Sequence, residues 1–235
     1  MIRRLALLIL LAITAATGCG DDAERGAGTE APAEDESILV AALGDSITAG
    51  SPLWDPDPQV REAIGSSLDE RSQFEYWTSE ANPSITFRNC GVFGERTDEI
   101  ALRLGECADG ADALIVQGGI NDIAQGRPVA EAAADLRAMV ESGRSMGIPV
   151  AIADVLPWNN GHPTADAPIE ELNRAIAEIA EDEEIPMLPF HYTLENPREP
   201  GTMRPGWTID GDHPSIAGYR RLAERAVPSF EAIGE

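Results

Sequence analysis

The sequence predicts an α/β protein: a three-layer α/β/α sandwich around a mainly five-stranded parallel sheet. Two observations carry this prediction. Short apolar runs alternate along the chain with longer segments in which apolar residues recur at helical spacing. Several of the short runs are apolar throughout, which is typical of parallel strands buried on both faces. Strands that alternate with helices imply right-handed crossovers, which place helices on both sides of the sheet.

The predicted strands and helices alternate from residue 38 onward. The strands are Ile38–Leu43, Ile85–Arg88, Ala113–Val116, Pro149–Ala153 and Pro186–Leu188. One predicted helix runs from Pro128 to Met146, with Gly147 as its terminator. Another begins near Asp166, whose side chain is expected to cap it, and a last helix runs from about Ser215 to Val227.

The N-terminus has the layout of a secretory signal over residues 1–18, with Arg3 and Arg4 ahead of an apolar run. Residues 16–19 resemble a bacterial lipobox, in which Cys19 would become the lipidated first residue of the mature protein. An ordinary signal peptide with a chance cysteine is the alternative. Residues 19–37 carry seven acids and one Arg without large apolar side chains, so we expect a flexible tether ahead of a catalytic domain at 38–235.

The composition excludes some partners. The chain has 41 acidic residues against 17 basic ones, all of them Arg, and a formal charge of −24. Phosphate backbones and anionic lipid surfaces repel such a chain, so nucleic acid is not expected as a partner, and membrane association is expected through the lipid anchor only. Hydrophobic residues make up 43% of the sequence, enough to build a core over most of its length.

Two further cysteines, Cys90 and Cys107, could form a disulfide in an oxidising compartment. Such a bond would stabilise the fold by about 3 kcal/mol in the chain-entropy model. Two buried free thiols are the alternative. The segment between them has a helical pattern, and one continuous helix would hold its ends apart, so both possibilities stay open. Neither cysteine has a partner at metal-ligand spacing.

Candidate catalytic residues lie in loops that follow the predicted strands, where sites form in parallel sheets. Ser46 comes directly after the first strand, although an Asp or Ser that caps the next helix would explain this loop as well. Asp210 precedes His213 by three residues, so its carboxylate can orient the imidazole and leave one ring nitrogen as a base. A serine nucleophile needs such a base. A surface Asp–His pair at the start of a helix is the simpler alternative.

Two other loops contain donors for a developing oxyanion. Asn121 follows the third strand, and glycines follow the second strand within residues 89–97. One such donor typically lowers the reaction barrier by about 3–4 kcal/mol. A turn-forming Asn and a helix-entry Gly would explain each loop alone, but all of these loops follow strands of one predicted sheet.

These four motifs, in this order, resemble those of the SGNH (GDSL-type) hydrolases over roughly residues 38–230. The resemblance implies the flavodoxin-like SGNH hydrolase fold. It also implies that Ser46 is the nucleophile, His213 the base and Asp210 the residue that orients His213. No metal or organic cofactor is implied.

The same resemblance implies an oxyanion hole formed by the N–H groups of Ser46 and Gly94 and by the Asn121 amide. Gly94 is preferred to Gly91 because the family pattern places this glycine five residues after the asparagine that is Asn89 here.

Four further polar or aromatic residues lie in or near these loops. Asp212 is expected to face solvent. The loop that contains His162 is interpreted as a surface turn, although it could line a substrate pocket. His191 is interpreted as structural, and Trp207 either packs against the core or forms one wall of the cleft.

The leading hypothesis is a lipid-anchored esterase on the extracytoplasmic face of a bacterial membrane. Its expected substrate is an acyl ester of a small molecule, a carbohydrate or a small lipid, cleaved through an acyl-enzyme intermediate. An acyltransferase to sugar hydroxyls is an alternative on the same fold. A non-catalytic lipoprotein that binds an envelope polymer in the same cleft is a second alternative, which the presence of all four motifs disfavours.

Overall fold

Five parallel strands form a single sheet in the part of the chain that the structure describes. The structure is a computed structural model that describes residues 37–50, 59, 69–158 and 164–231. The strands are β1 (Ile38–Gly44), β2 (Ile85–Gly91), β3 (Ala113–Val116), β4 (Val150–Ala153) and β5 (Met187–Leu188). Their order is β2-β1-β3-β4-β5, as in flavodoxin-like folds. The predicted fold class and the predicted strands are confirmed, with β2 extending to Gly91 instead of ending at Arg88.

Helices connect these strands. They are α1 (Ser46–Ala49), α2 (Phe74–Ala81), α3 (Thr97–Ala101), α4 (Leu104–Ala108), α5 (Ile120–Ala124), α6 (Val129–Ser145), α7 (Asp166–Asp182), α8 (Phe190–Leu194) and α9 (Ile216–Glu231). The helices predicted from apolar spacing, α6, α7 and α9, are confirmed. The prediction that Asp166 caps α7 is wrong, because the N-cap is Ala165 and Asp166 is already helical. The carboxylate of Asp166 lies beside Gly201 instead.

The sheet separates two hydrophobic cores. Alternate residues of β1 point to opposite faces, so Leu43 packs with α6 and α7 in the first core while Val40 packs with α2 and α9 in the second. Leu136 and Leu172 are fully buried in the first core, and Tyr219 is fully buried in the second. Burial of both faces explains why β1, β3 and β4 are apolar throughout, whereas β2 at the edge of the sheet contains polar residues and is only partly buried.

Cys90 and Cys107 form a disulfide, with their Cα atoms 6.1 Å apart. The expectation that one helix would hold these residues apart is wrong. The helical pattern is divided between α3 and α4, and the chain turns between them, so the end of α4 returns to the end of β2. The bond rules out the alternative of two buried free thiols. Cys107 is buried in the first core, and Cys90 packs against it.

The predicted signal segment, the lipidation site Cys19 and most of the predicted tether lie outside the described residues. The described residues all belong to one unit, Asp35–Glu235. Within them, no helix combines the length and the apolar character needed to cross a membrane.

Candidate active site

Ser46 is the first residue of α1, directly beyond the carboxyl end of β1. Asp45 caps this helix, since its Oδ1 accepts a hydrogen bond from the Ile47 N–H at 2.9 Å. The helix ends after one turn at Gly50, whose φ of 94° lies in the left-handed region that favours glycine. The alternative that an Asp or Ser in this loop caps the next helix is therefore correct for Asp45. The Ser46 hydroxyl is not needed for the cap and can make another contact.

Two glycines allow α1 to lie against the strand ends. A Cβ atom on Gly91 would lie 2.1 Å from the Ala49 nitrogen, and one on Gly44 would lie 2.2 Å from the Thr48 hydroxyl. Neither position accepts a side chain without movement of its neighbours. The N–H of Gly91 donates to its neighbour Asn89 at 2.9 Å, so it is already engaged.

Ser46, His213 and Asp210 form a continuous hydrogen-bonded relay. Ser46 Oγ lies 3.1 Å from His213 Nε2, and His213 Nδ1 lies 2.8 Å from Asp210 Oδ2. The other carboxylate oxygen of Asp210 accepts the backbone N–H groups of Asp212 and His213, at 2.9 and 2.8 Å. The carboxylate therefore holds both the imidazole and the turn that carries it.

Electrostatics favour an ionised Asp210. Partial burial acts to raise its pKa, but hydrogen bonds from the His213 ring and from two backbone N–H groups outweigh this effect and hold the pKa below its ordinary value. A carboxylate that stays ionised can stabilise a positive imidazolium.

Thr208 supports the relay, and the sequence did not predict this role. Its hydroxyl donates to the His213 carbonyl at 2.8 Å and accepts the Gly211 N–H at 2.8 Å. It therefore closes the turn from both ends. A threonine five residues before a histidine carries no recognisable signal in sequence, because the contact depends on the turn geometry.

The oxyanion donors predicted from the resemblance come from the loops after β1, β2 and β3, which are neighbours in the sheet. Among the described residues, the N–H groups of Ser46 and Gly94 have no hydrogen-bond acceptor. The corresponding group of Gly91 is occupied, as described above, which favours the choice of Gly94. Gly94 itself has a φ of 75°, a backbone conformation that residues other than glycine rarely adopt.

Asn121 lies in α5 and reaches the loop that carries Gly94. Its Nδ2 donates to the Glu95 carbonyl at 2.9 Å. An amide nitrogen carries two hydrogens, so this bond orients the side chain and leaves the second hydrogen for a ligand. Gln125 anchors the same loop, because its Nε2 donates to the Gly94 carbonyl at 3.1 Å.

Arg103 ties the ends of β1 and β2 to this loop. Its guanidinium donates to the carbonyls of Cys90 and Gly44, at 2.6 and 3.1 Å, and to the Glu95 carboxylate at 2.6 Å. The residue lies just before α4, on the segment that the disulfide closes. Its role could not be predicted, because its acceptors are mostly backbone carbonyls that any sequence provides.

Asp122 anchors the loop that carries Gly94 through contacts with Thr97 at the loop's end. It is fully buried and accepts the N–H and hydroxyl of Thr97, each at 2.9 Å. Arg127 neutralises it at 2.6 Å and also pairs with Asp135 at 2.7 Å. The residue next to Asn121 thus fixes the start of α3, and with it the end of the Gly94 loop.

Asp212 does not face solvent as expected. It is partly buried, and its side chain lines a small cavity together with Ile47 and Trp158. The expectation assumed that Asp210 and Asp212 lie on opposite sides of an extended chain. Gly211 has a φ of 95°, so the chain turns there and the alternation is lost.

Two of the other candidates, Trp207 and His191, make contacts with residues outside the relay. Trp207 packs against the second core, with Arg204 stacked 4.7 Å from its ring centroid. The backbone N–H of His191 donates to the buried Asp154 at 2.7 Å. His162 is outside the described residues. Within those residues, no group of three His, Cys, Asp or Glu side chains is arranged to hold a metal ion.

The fold and the site together define the class of protein, an ester hydrolase built on a flavodoxin-like sheet. The chain belongs to the GDSL-like lipase/acylhydrolase family, whose model matches residues 42–221. The sequence matches no curated protein.

Solved structures of this class share the fold. A member of the lipolytic G-D-S-L family from Veillonella parvula is 20% identical with a TM-score of 0.67, over 83% of this chain and 99% of that one. A GDSL-like lipase from Bacteroides thetaiotaomicron is 22% identical with a TM-score of 0.65, over 86% and 91%. The acetylxylan esterase Axe2 from Geobacillus stearothermophilus is 18% identical with a TM-score of 0.62, over 83% and 96%.

Proposed function

We propose that this protein is a serine esterase that cleaves acyl esters through an acyl-enzyme intermediate. The observation that carries the proposal is the relay from Ser46 through His213 to Asp210, with separations of 3.1 and 2.8 Å. Both are hydrogen-bond distances, as a nucleophile, its base and an orienting carboxylate require.

The acylation step starts when Ser46 Oγ attacks the ester carbonyl carbon. His213 Nε2 takes the hydroxyl proton, and Asp210 stabilises the imidazolium that results. The carbonyl π electrons move onto oxygen, which accepts hydrogen bonds from the N–H groups of Ser46 and Gly94 and from the Asn121 amide. When the carbonyl forms again, the bond to the alcohol oxygen breaks and His213 gives that oxygen its proton.

Deacylation repeats these events with water. His213 removes a proton from water, and the resulting hydroxide attacks the acyl carbon. Collapse of the second tetrahedral intermediate breaks the bond to Ser46 Oγ, which recovers its proton from His213. The acid leaves, and the enzyme returns to its starting state.

The physiological substrate in this proposal is a neutral acyl ester of a small molecule or a carbohydrate. The formal charge of −24 supports this choice because it disfavours approach to anionic lipid surfaces. A fold shared with an acetylxylan esterase is compatible with a sugar ester.

The proposed location is the extracytoplasmic face of a bacterial membrane, reached through the signal segment and a lipid on Cys19. The Cys90–Cys107 disulfide supports an oxidising compartment. Growth with a labelled fatty acid tests this: we expect label on the full chain and none on Cys19→Ala. Equal labelling of both proteins, or of neither, would reject the anchor.

Replacement of Ser46 by alanine tests the proposed chemistry. Ser46→Ala should lower the hydrolysis of p-nitrophenyl acetate by about a thousandfold or more, because the nucleophile is lost. Ser145→Ala is the matched control, since this serine lies on α6 and its hydroxyl contacts only the helix backbone at Glu141. A fluorophosphonate should label the wild type and the control but not Ser46→Ala.

Retained activity in Ser46→Ala would remove Ser46 from its role. Absence of fluorophosphonate labelling in folded wild type would favour a binding protein over an enzyme. Product analysis with an added sugar acceptor separates the remaining alternative, because an acyltransferase would yield acylated sugar in place of free acid.

A further inference from the structure

Four buried polar side chains lie in α2 and just before it, and the catalytic steps described above do not use them. They are Ser72, Gln73, Glu75 and Thr78. The apolar residues of this helix face the second core, but a polar group that is removed from water needs a hydrogen-bond partner. The partners of these four side chains therefore indicate what the segment does.

Two of these side chains contact the C-terminal end of α1, the single helical turn that carries the proposed nucleophile. Gln73 Nε2 donates to the Ala49 carbonyl at 3.2 Å. The Ser72 hydroxyl lies 2.9 Å from the Gly50 carbonyl and 2.7 Å from the Asp69 carbonyl, so one hydrogen serves two acceptors. The last carbonyls of a helix have no partner within the helix, and these side chains supply one.

Asn89, near the end of β2, holds the preceding carbonyl of α1. Its Nδ2 donates one hydrogen to the Thr48 carbonyl at 2.6 Å and the other to Glu75 Oε1 at 3.0 Å. Its Oδ1 accepts the Gly91 N–H at 2.9 Å. A reversed amide would place its oxygen against two acceptors, so Glu75 and Gly91 fix the orientation in which Asn89 donates to α1.

These contacts bear on the nucleophile because a helix of one turn is unstable by itself. At the start of α1, Gln117 Oε1 accepts the Asp45 N–H at 3.3 Å and the Thr48 hydroxyl at 2.8 Å. The carbonyl contacts hold the opposite end of the same turn. Ser46 Oγ lies 3.1 Å from His213 Nε2, so a shift of α1 by about half an ångström would take this pair beyond hydrogen-bond distance.

We propose that Gln73 and Asn89 are positioning residues for the nucleophile, and that Glu75 supports them by orienting Asn89. By holding two successive carbonyls of α1, they keep Ser46 Oγ within reach of its base and the Ser46 N–H directed at the developing oxyanion. They act through α1 and take no part in proton transfer. The inference rests on the proposed function of Ser46 and extends it to the groups that fix the nucleophile's position.

Gln73→Met and Asn89→Ala test the inference, because each removes the donor to one carbonyl. With p-nitrophenyl acetate, each variant should lower kcat by about threefold to tenfold and the double variant by about a hundredfold, the order expected for misplaced reacting atoms. KM should stay within about twofold, since uniform binding of the ester is unchanged. Rates are expressed per active site, counted by complete fluorophosphonate labelling of Ser46.

The rate of fluorophosphonate labelling is the second measurement. It should fall by about the same factor as kcat in each variant, because phosphonylation depends on the geometry of Ser46 and His213 but not on deacylation. A residue with a purely structural role would lower the free energy of unfolding and leave both rates per active site unchanged.

Thr78→Val is the matched control. Thr78 is buried on the same helix, but its hydroxyl donates within α2, to the Phe74 carbonyl at 2.9 Å. This variant should keep the wild-type kcat and labelling rate, whatever its effect on stability. Glu75→Gln keeps an oxygen that accepts from Asn89, so it should recover most of the kcat that Glu75→Ala loses.

If Gln73→Met or Asn89→Ala does not fold, Gln73→Ala and Asn89→Ser remove the same donors. Wild-type rates in the folded variants would overturn the inference, as would an equal loss of kcat in Thr78→Val or a change confined to KM. A loss in only one variant would remove the other residue from the assignment.

Fluorophosphonate labelling of the wild type distinguishes the two levels of failure. Labelled Ser46 with unchanged rates in the Gln73 and Asn89 variants overturns this inference alone. Unlabelled Ser46 with no hydrolysis of any ester rejects the proposed function itself.

Discussion

At the scale of single residues, two polar side chains, those of Asp45 and Asn121, hold backbone groups of the candidate site in place. Asp45 caps α1 through Ile47 and lies fully buried beside Ser46. Burial raises its pKa to about 6, against the opposing effect of the hydrogen bond from the Ile47 N–H. Asn121 donates one amide hydrogen to the Glu95 carbonyl, and its second amide hydrogen is the one proposed to bind the oxyanion.

Asn121→Ala tests the proposed role of the Asn121 amide as an oxyanion donor. Loss of one oxyanion donor should lower kcat by about a hundredfold to a thousandfold, because the donor acts on charge that develops in the transition state. KM should change little, since the ground-state carbonyl is bound less strongly by the same group. Steady-state kinetics with p-nitrophenyl acetate measure both values.

The control for Asn121→Ala is Gln125→Ala. Gln125 also anchors the loop, through the Gly94 carbonyl at 3.1 Å, but it is not proposed as an oxyanion donor. A small effect in Gln125→Ala beside a large one in Asn121→Ala would separate charge stabilisation from loop anchoring. Equal losses in both variants would contradict the proposed role of the Asn121 amide.

At the scale of elements, the segment from the end of β2 to the end of α4 carries one of the proposed oxyanion donors, Gly94, and is held at several points. The disulfide joins its ends, and Arg103 ties it to β1. Asp122 holds its middle through Thr97. Short helices cannot hold such a loop by themselves, because isolated helices of this length are unstable in water.

Removal of the disulfide tests how much the Cys90–Cys107 bond contributes to the free energy of unfolding. The double variant Cys90→Ser and Cys107→Ser should lose about 3 kcal/mol of unfolding free energy in the chain-entropy model. We expect kcat to stay within about threefold of wild type at low temperature, because the contacts of Arg103 and Asp122 persist.

Urea unfolding of oxidised, reduced and double-variant protein provides the measurement. Reduced wild type should match the double variant. Identical midpoints for oxidised and reduced wild type would show that the disulfide does not stabilise the fold.

At the scale of the whole molecule, several acids are buried at the carboxyl end of the sheet. Burial raises the pKa of Asp154 to about 7, against hydrogen bonds from the backbone of α8. Burial also raises the pKa of Glu75 well above its ordinary value. A carboxyl group with a raised pKa binds its proton more tightly in the folded state than in the unfolded chain. The stability it contributes is complete below its unfolded pKa and declines as the pH rises toward the folded pKa.

Asp154→Asn should therefore flatten the pH dependence of stability. For the wild type, the unfolding free energy should fall between about pH 4 and pH 7, and Asp154 accounts for about 4 kcal/mol of this fall as an upper bound. The asparagine keeps an oxygen for the His191 N–H but does not titrate.

Urea unfolding at pH 4, 5.5 and 7 measures the effect, with Asp109→Asn as an exposed control. We expect the control to follow the wild-type slope. A wild-type slope in Asp154→Asn would show that this carboxyl group does not titrate in the proposed range.

The parts of the fold that could be predicted from sequence are those in which apolar residues recur with the spacing of a buried strand or helix face. The strands and the long helices α6, α7 and α9 belong to this group, because each buries a continuous apolar face. The errors concern single contacts. Asp166 has the residue type of a cap but lies inside the helix, and the helical pattern between the cysteines did not reveal the turn that brings them together.

By itself, the sequence determined the sheet and the identity of the candidate relay, because Ser46, His213 and Asp210 are of chemically distinctive types in loops after strands or before the last helix. Only the tertiary structure decided the disulfide, the anchoring by Thr208 and Arg103, and the cavity beside Asp212. Local patterns record which face of an element is buried, whereas these features depend on distances between side chains and backbone groups that are brought together only when the whole chain packs.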